Sequence, residues 1–196
     1  MSSYQKAAKY SFYTGKTAFT TTEVMMRKNQ YNLLNIEEEI QNKQVYVCTF
    51  WGFRPSNAVR CNHFNTAVTE FDGCVTDSFL SWIKISIEPE QYKRTAHCGE
   101  EISIPVKVFS PYTNHPPPNQ FSRITYQVYG SDKMKRYEHE TGILLANAFA
   151  TNETEVKVQL PDSAGRYDVF VSVSQDNFPA SINSRAVSVE IGRAHV

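Results

Sequence analysis

Neither sign of charge predominates in this chain of 196 residues: twenty Lys and Arg face twenty Asp and Glu, for a formal net charge of zero. That balance excludes a strongly basic nucleic-acid binder and an acidic disordered chain, so no nucleic-acid partner is expected. Long apolar runs are missing too. None approaches the roughly 18 residues that a membrane helix needs, so no membrane partner is expected. The first thirty residues, with Lys6, Lys9, Tyr10 and Tyr13, contain no apolar core of a signal peptide. Cysteine is scarce, with four residues, too few for a disulfide scaffold. Cys61 and Cys74 could pair, but four cysteines allow three connectivities and the sequence does not choose among them. A zinc set of Cys61, His63, Cys74 and Cys98 lacks any C-x-x-C pair, and no metal is expected. There is no Ser/His/Asp order, phosphate loop or dinucleotide fingerprint, and no cofactor is expected.

What is present suits a packed core or two small ones, with 41% hydrophobic and 13% aromatic residues. From Ile85 to Val189 the period is two. EISIPVKVF puts Ile102, Ile104, Val106 and Val108 on one face and Glu101, Ser103 and Lys107 on the other. WIKISIE, SRITYQVYG, ILLANAFA, TEVKVQL, RYDVFVSVS and RAVSVE bring the total to about seven strands in roughly a hundred residues, the count of an immunoglobulin-like β-sandwich. In LPDSAGRYDVFV the turn residues Pro161, Asp162 and Gly165 precede Tyr167. A corner tyrosine, with its hydroxyl tied to upstream backbone, is expected there. PYTNHPPPNQ reads as a stiff extended loop, and Asn152-Glu153-Thr154 fits an N-glycosylation acceptor.

Residues 1–80 follow another grammar. YQKAAKYSFYTGK is helix-like, with Ala7, Ala8, Ser11 and Phe12 near one face and Gly15 as the stop. TAFTTTE reads as a strand ending on Glu23. Leu33, Ile36 and Ile40 have the spacing of an amphipathic helix. KQVYVCTFWGF resembles a strand buried on both faces, with Cys48 a buried reduced thiol. The order helix, strand, helix, strand predicts an α/β segment with parallel strands, incomplete by itself because so few strands cannot cover their own faces. Glu70, Asp72 and Asp77 are expected in loops and turns, Asp72-Gly73 being a turn signal. His63 and His97 are expected on the surface, and Asp77 to Ser86 as a linker. Glu23 has two readings. With Thr22 as N-cap it starts the next helix, favoured by the dipole. As a strand-tip carboxylate it is a catalytic group. Trp51 is either a core aromatic or a sugar platform.

GKTAFTTTEV followed by QVYVCTFWGFRPSN, over Tyr4 to Asn57, resembles strands seven and eight of a retaining (β/α)8-barrel glycoside hydrolase, with Thr17 where that family often has proline. The resemblance implies an incomplete barrel end over 1–80, an appended immunoglobulin-like sandwich over 81–190, and a carbohydrate substrate. Glu23 would be the nucleophile and Trp51 the substrate-binding floor. Such enzymes need two carboxyl groups about 5 Å apart. The acid partner would lie on upstream barrel strands that this chain does not contain, because Glu37, Glu38 and Glu39 fall on the connecting helix. The implied function is the C-terminal part of a carbohydrate-active enzyme, inactive as a fragment. The alternative is a non-catalytic immunoglobulin-like binding or adhesion module. The closing IGRAHV, 191–196, reads as a translated sequencing adapter. A break at one end puts the N-terminus in question as well, and with a truncated N-terminus an extracellular or lysosomal setting fits better than a cytoplasmic one.

Overall fold

Alternation of apolar and polar side chains sets most of the elements in a computed structural model of the chain. It describes all residues except 1–3, 21–23, 25–29, 34–35, 50–57, 66–69, 114–115, 177 and 193–196. In order they are α1 (Tyr4–Thr14), α2 (Gln30–Leu33), α3 (Ile36–Ile40), β1 (Val45–Thr49), β2 (Ala58–Asn65), β3 (Glu70–Thr76), β4 (Ser86–Pro89), β5 (Lys93–His97), β6 (Glu101–Phe109), β7 (Ser122–Gly130) and β8 (Lys135–Leu144), then α4 (Leu145–Thr151), β9 (Glu153–Gln159), β10 (Gly165–Gln175) and β11 (Val187–Gly192).

The fold is all-β, and the expected α/β barrel end is absent from the described residues. β1, β3 and β2 form a three-stranded sheet in that order, and both pairings are antiparallel. For β2 and β3 the cause is chain length. Four residues separate β2 from β3, whereas a parallel pair needs a crossover of a dozen or more. Residues 17–20 are irregular rather than a strand. The expected long helix is divided into α2 and α3, which leaves Leu33 exposed; the Ile36 side chain lies outside the described residues. β1 is an edge strand, so Tyr46 and the free thiol of Cys48 are exposed, against the expectation of a strand buried on both faces. Asp72 and Gly73 lie within β3 and are buried instead of forming a turn. Gly73 makes room for the crossing Tyr46 ring: a Cβ there would overlap Tyr46 Oη. α1 does stop at Gly15, which takes φ +67° and donates its amide to Ser11 O at 2.9 Å. Phe12, however, is exposed rather than on the packed face.

The remaining strands form two facing sheets, β4-β6-β9 and β5-β11-β10-β7-β8, in which only the β5–β11 pair is parallel. Their inner faces make one core. Ile102, Ile104, Val106 and Val108 of β6 meet Ile124, Tyr126 and Val128 of β7, and Val169, Val171 and Val173 of β10. Tyr167 donates its hydroxyl to Ser163 O at 3.1 Å, the corner arrangement of such sandwiches. ILLANAFA is strand only at Ile143 and Leu144, which end β8; the rest of it, from Leu145 on, is α4. Leu and Ala are strong helix formers, and Leu145 and Ala148, three apart, are the buried face. β5 and β8 carry mostly exposed polar side chains, so they give little alternation to read. Ile191 is buried in β11 and pairs with Gly165 and Ala96; the suspect tail thus contributes a core residue, and 193–196 lie outside the described residues.

The segment expected as a linker, Asp77 to Ser86, is instead the seam of the molecule. Phe79, Leu80, Ser81, Trp82 and Ile83 are all buried. Asn42 donates its amide to Phe79 O at 2.7 Å and Phe79 returns one to Lys43 O at 3.1 Å. Gln41 and Ser81 exchange two bonds, at 3.2 and 3.0 Å. On the outer face of the larger sheet, Tyr129 packs with Val24 and Ala180, and Phe79 sits edge-on to Phe178 at 5.4 Å. The described part of the first eighty residues is therefore bound to the sandwich by core contacts and by the Gln41 side chain on Ser81.

Candidate functional site

Glu23 and Trp51, the two site residues expected from the sequence, lie outside the described residues. The basis for the nucleophile reading was a strand-tip position in a parallel barrel. That scaffold is replaced by an antiparallel sheet, and Thr17 to Thr20 ahead of Glu23 are not a strand.

The zinc set is disassembled. Cys61 and Cys74 stand opposite each other on β2 and β3 and are joined as a disulfide, with a Cα–Cα distance of 4.1 Å. Among the described residues no cluster of three or more His, Cys, Asp or Glu could hold a metal. His63 is exposed, as expected, and is also partnered: its Nδ1 lies 2.9 Å from Asp72 Oδ1, two residue pairs along the same hairpin. The two residues stand directly opposite each other on β2 and β3, so they read as a cross-strand polar pair.

Among the described residues a concave feature lies where β6 ends, at the junction of the proline loop and α4. It is a cleft of about 570 Å³, within the range of small-molecule sites. Trp82 forms its floor, 2% exposed. Tyr112 and Phe149 each meet the indole edge-to-face with ring centroids 5.9 Å away. Pro116, Pro117 and Pro118 make a wall, held stiff by their fixed φ. Phe109, 47% exposed, and Asn152 line the mouth. The floor is rigid because the indole Nε1–H donates to Ser122 Oγ at 3.0 Å and to Gln175 Oε1 at 3.2 Å.

Behind Tyr112 stands Glu37, which was expected on a helix face remote from any pocket and has no accessible surface. It accepts the Tyr112 hydroxyl at Oε2 (2.7 Å) and the Ile83 amide at Oε1 (3.1 Å). Burial pushes its carboxyl above the ordinary glutamate value. The Ser81, Tyr112 and Ile83 groups and the Lys84 charge pull the other way. Ser81 Oγ itself makes no hydrogen bond of good geometry, so its pull is a matter of proximity. Burial, then the Glu37 charge, raises the Tyr112 phenol as well.

None of the described lining residues is charged, and the polar groups at the cleft are Ser110, Tyr112 and Asn152. Glu37 is sealed behind the wall. The arrangement offers aromatic faces and a few hydrogen bonds to a neutral ligand, without an acid–base pair. Sequence reading missed it because Trp82, Phe109 and Phe149 come from three separate segments, each read as strand. The available signal was the density of Pro and aromatic residues in FSPYTNHPPP and FATN. No protein family and no curated protein matches this chain.

Proposed function

We propose that the chain is a non-catalytic binding module of immunoglobulin-like sandwich architecture, which recognises a neutral saccharide in the aromatic cleft. The observation that carries this reading is the pairing of partly open aromatic and proline surfaces with an uncharged lining. Aromatic faces pack against the C–H faces of sugars, and an uncharged site discriminates against anionic ligands, whose desolvation it cannot repay. The resemblance of GKTAFTTTEV to glycosidases supports a carbohydrate setting. Its hydrolytic part lacks the barrel that would place Glu23, so binding without turnover is the better supported function.

The test is titration of the bacterially expressed chain with neutral oligosaccharides, followed by calorimetry and by assay for released reducing ends. Saccharide binding with no release is expected. Phe109→Ala is expected to weaken it about tenfold, a loss of about 1.4 kcal/mol, with little change in stability because the ring is half exposed. Binding that is indifferent to Phe109 would remove the cleft from consideration, and release of reducing ends would restore the enzyme reading.

A further inference from the structure

Asn152-Glu153-Thr154 is the single N-x-S/T triplet of the sequence, and the fold puts it in an unusual place. Asn152 caps α4 in the left-handed conformation, with φ 58° and ψ 7°, which asparagine tolerates better than other side chains. Its backbone carbonyl accepts the Val108 amide at 3.0 Å, which fixes the residue against the end of β6. The side chain is exposed, and its carboxamide makes no hydrogen bond with any described residue. It lines the same cleft as Phe109 and Phe149. A second, independent observation is the Cys61–Cys74 disulfide, a bond that persists in the oxidising compartments where N-linked glycans are added.

We infer that Asn152 carries an N-linked glycan whose first N-acetylglucosamine rests on Phe109 and Phe149 and closes the cleft to free saccharide. The closure rests on the saccharide-binding reading; the attachment does not. In the attachment step the Asn152 side-chain nitrogen bonds to C1 of N-acetylglucosamine. The C1–O bond to a lipid pyrophosphate donor breaks, and the amide proton leaves with the pyrophosphate. A short linkage from the cleft mouth brings the apolar face of the sugar to rings that the protein leaves half covered, so the occupant of the cleft is supplied in cis at high effective concentration.

The experiment compares the full chain secreted from cultured eukaryotic cells with the same chain made in bacteria. Mass analysis before and after peptide N-glycosidase F should show a glycan on the secreted chain, with an aspartate left at that position. Asn152→Gln and Thr154→Ala should abolish it, and Thr154→Ser should retain it. The glycosylated chain should melt roughly 2–4 °C higher than the unglycosylated one, and Phe109→Ala should erase that difference. Its affinity for a neutral oligosaccharide should be about tenfold weaker or worse. Secretion without modification at Asn152 would overturn the inference, as would a glycan that leaves melting unchanged and independent of Phe109. If the bacterial chain binds no saccharide at all, the functional reading fails. Mass and melting still decide the glycan and its packing.

Discussion

The Tyr112 hydroxyl donates to Glu37 Oε2 at 2.7 Å and accepts the Lys84 amide at 3.0 Å, so one phenol joins a helix of the N-terminal segment to the seam and to the proline loop of the sandwich. The carboxylate is satisfied but dry. A buried charge of this kind costs stability unless its partners compensate, and here burial outweighs them.

The sign of the pH dependence follows. Glu37 has a folded pKa above its ordinary value of 4.5, so the native state holds a proton that the unfolded chain releases. Its contribution is complete below the unfolded value and is lost as pH rises through the raised folded value. Unfolding free energy should therefore fall with pH from about 4.5 upward, by about 1.4 kcal/mol for each unit of elevation. Glu37→Gln should flatten that decline. Urea melts of both proteins across the acid-to-neutral range give the two profiles, and parallel profiles would show that Glu37 titrates normally.

Asn183 makes a second clamp on the seam. Its Nδ2 donates to Trp82 O at 2.9 Å and Ile85 O at 3.0 Å, and its Oδ1 accepts the Val173 amide at 2.8 Å. Asn183→Ala would leave two buried backbone groups, Ile85 O and the Val173 amide, unpaired and Trp82 O with only the longer bond from the Ile85 amide at 3.3 Å, and should cost about 3 kcal/mol. Asn183→Asp keeps the acceptor but sets a carboxylate against two carbonyl oxygens, so it should be no better. Equilibrium denaturation measures both. A loss confined to Asn183→Ala would mean that shape, not donor pattern, is what the site requires.

The Cys61–Cys74 bond closes a short loop, with a sequence separation of 13, inside the three-stranded sheet. On the chain-entropy account a loop of that size contributes about 3 kcal/mol. Replacing both residues by serine, or adding reductant, should lower the melting temperature. Hydrogen exchange should quicken first in β2 and β3 and leave β7 and β10 protected. Uniform loss of protection across both sheets would show instead that the small sheet and the sandwich unfold as one.

Much of the sandwich was written in local pattern. The alternation in EISIPVKVF and TEVKVQL fixes which side chains of β6 and β9 face inward, because successive strand residues point to opposite faces. The turn in PDSAG sets Tyr167 at the corner. The stop of α1 at Gly15 was equally local. These features depend on a few neighbouring residues, so local pattern is enough to specify them.

The tertiary structure decided what depends on distant partners. Whether VYVCT is a central parallel strand or an edge in an antiparallel sheet is settled by its pairing with β3, since an apolar run suits both. Cys61 finds Cys74 because the register places them opposite each other. Glu37 reads as a solvated helix carboxylate until Tyr112 and Ile83 enclose it. The cleft exists only because Trp82, Phe109, Phe149 and the three prolines converge from remote segments. Periodicity reports which way a side chain points, and only packing between elements reports what it meets there.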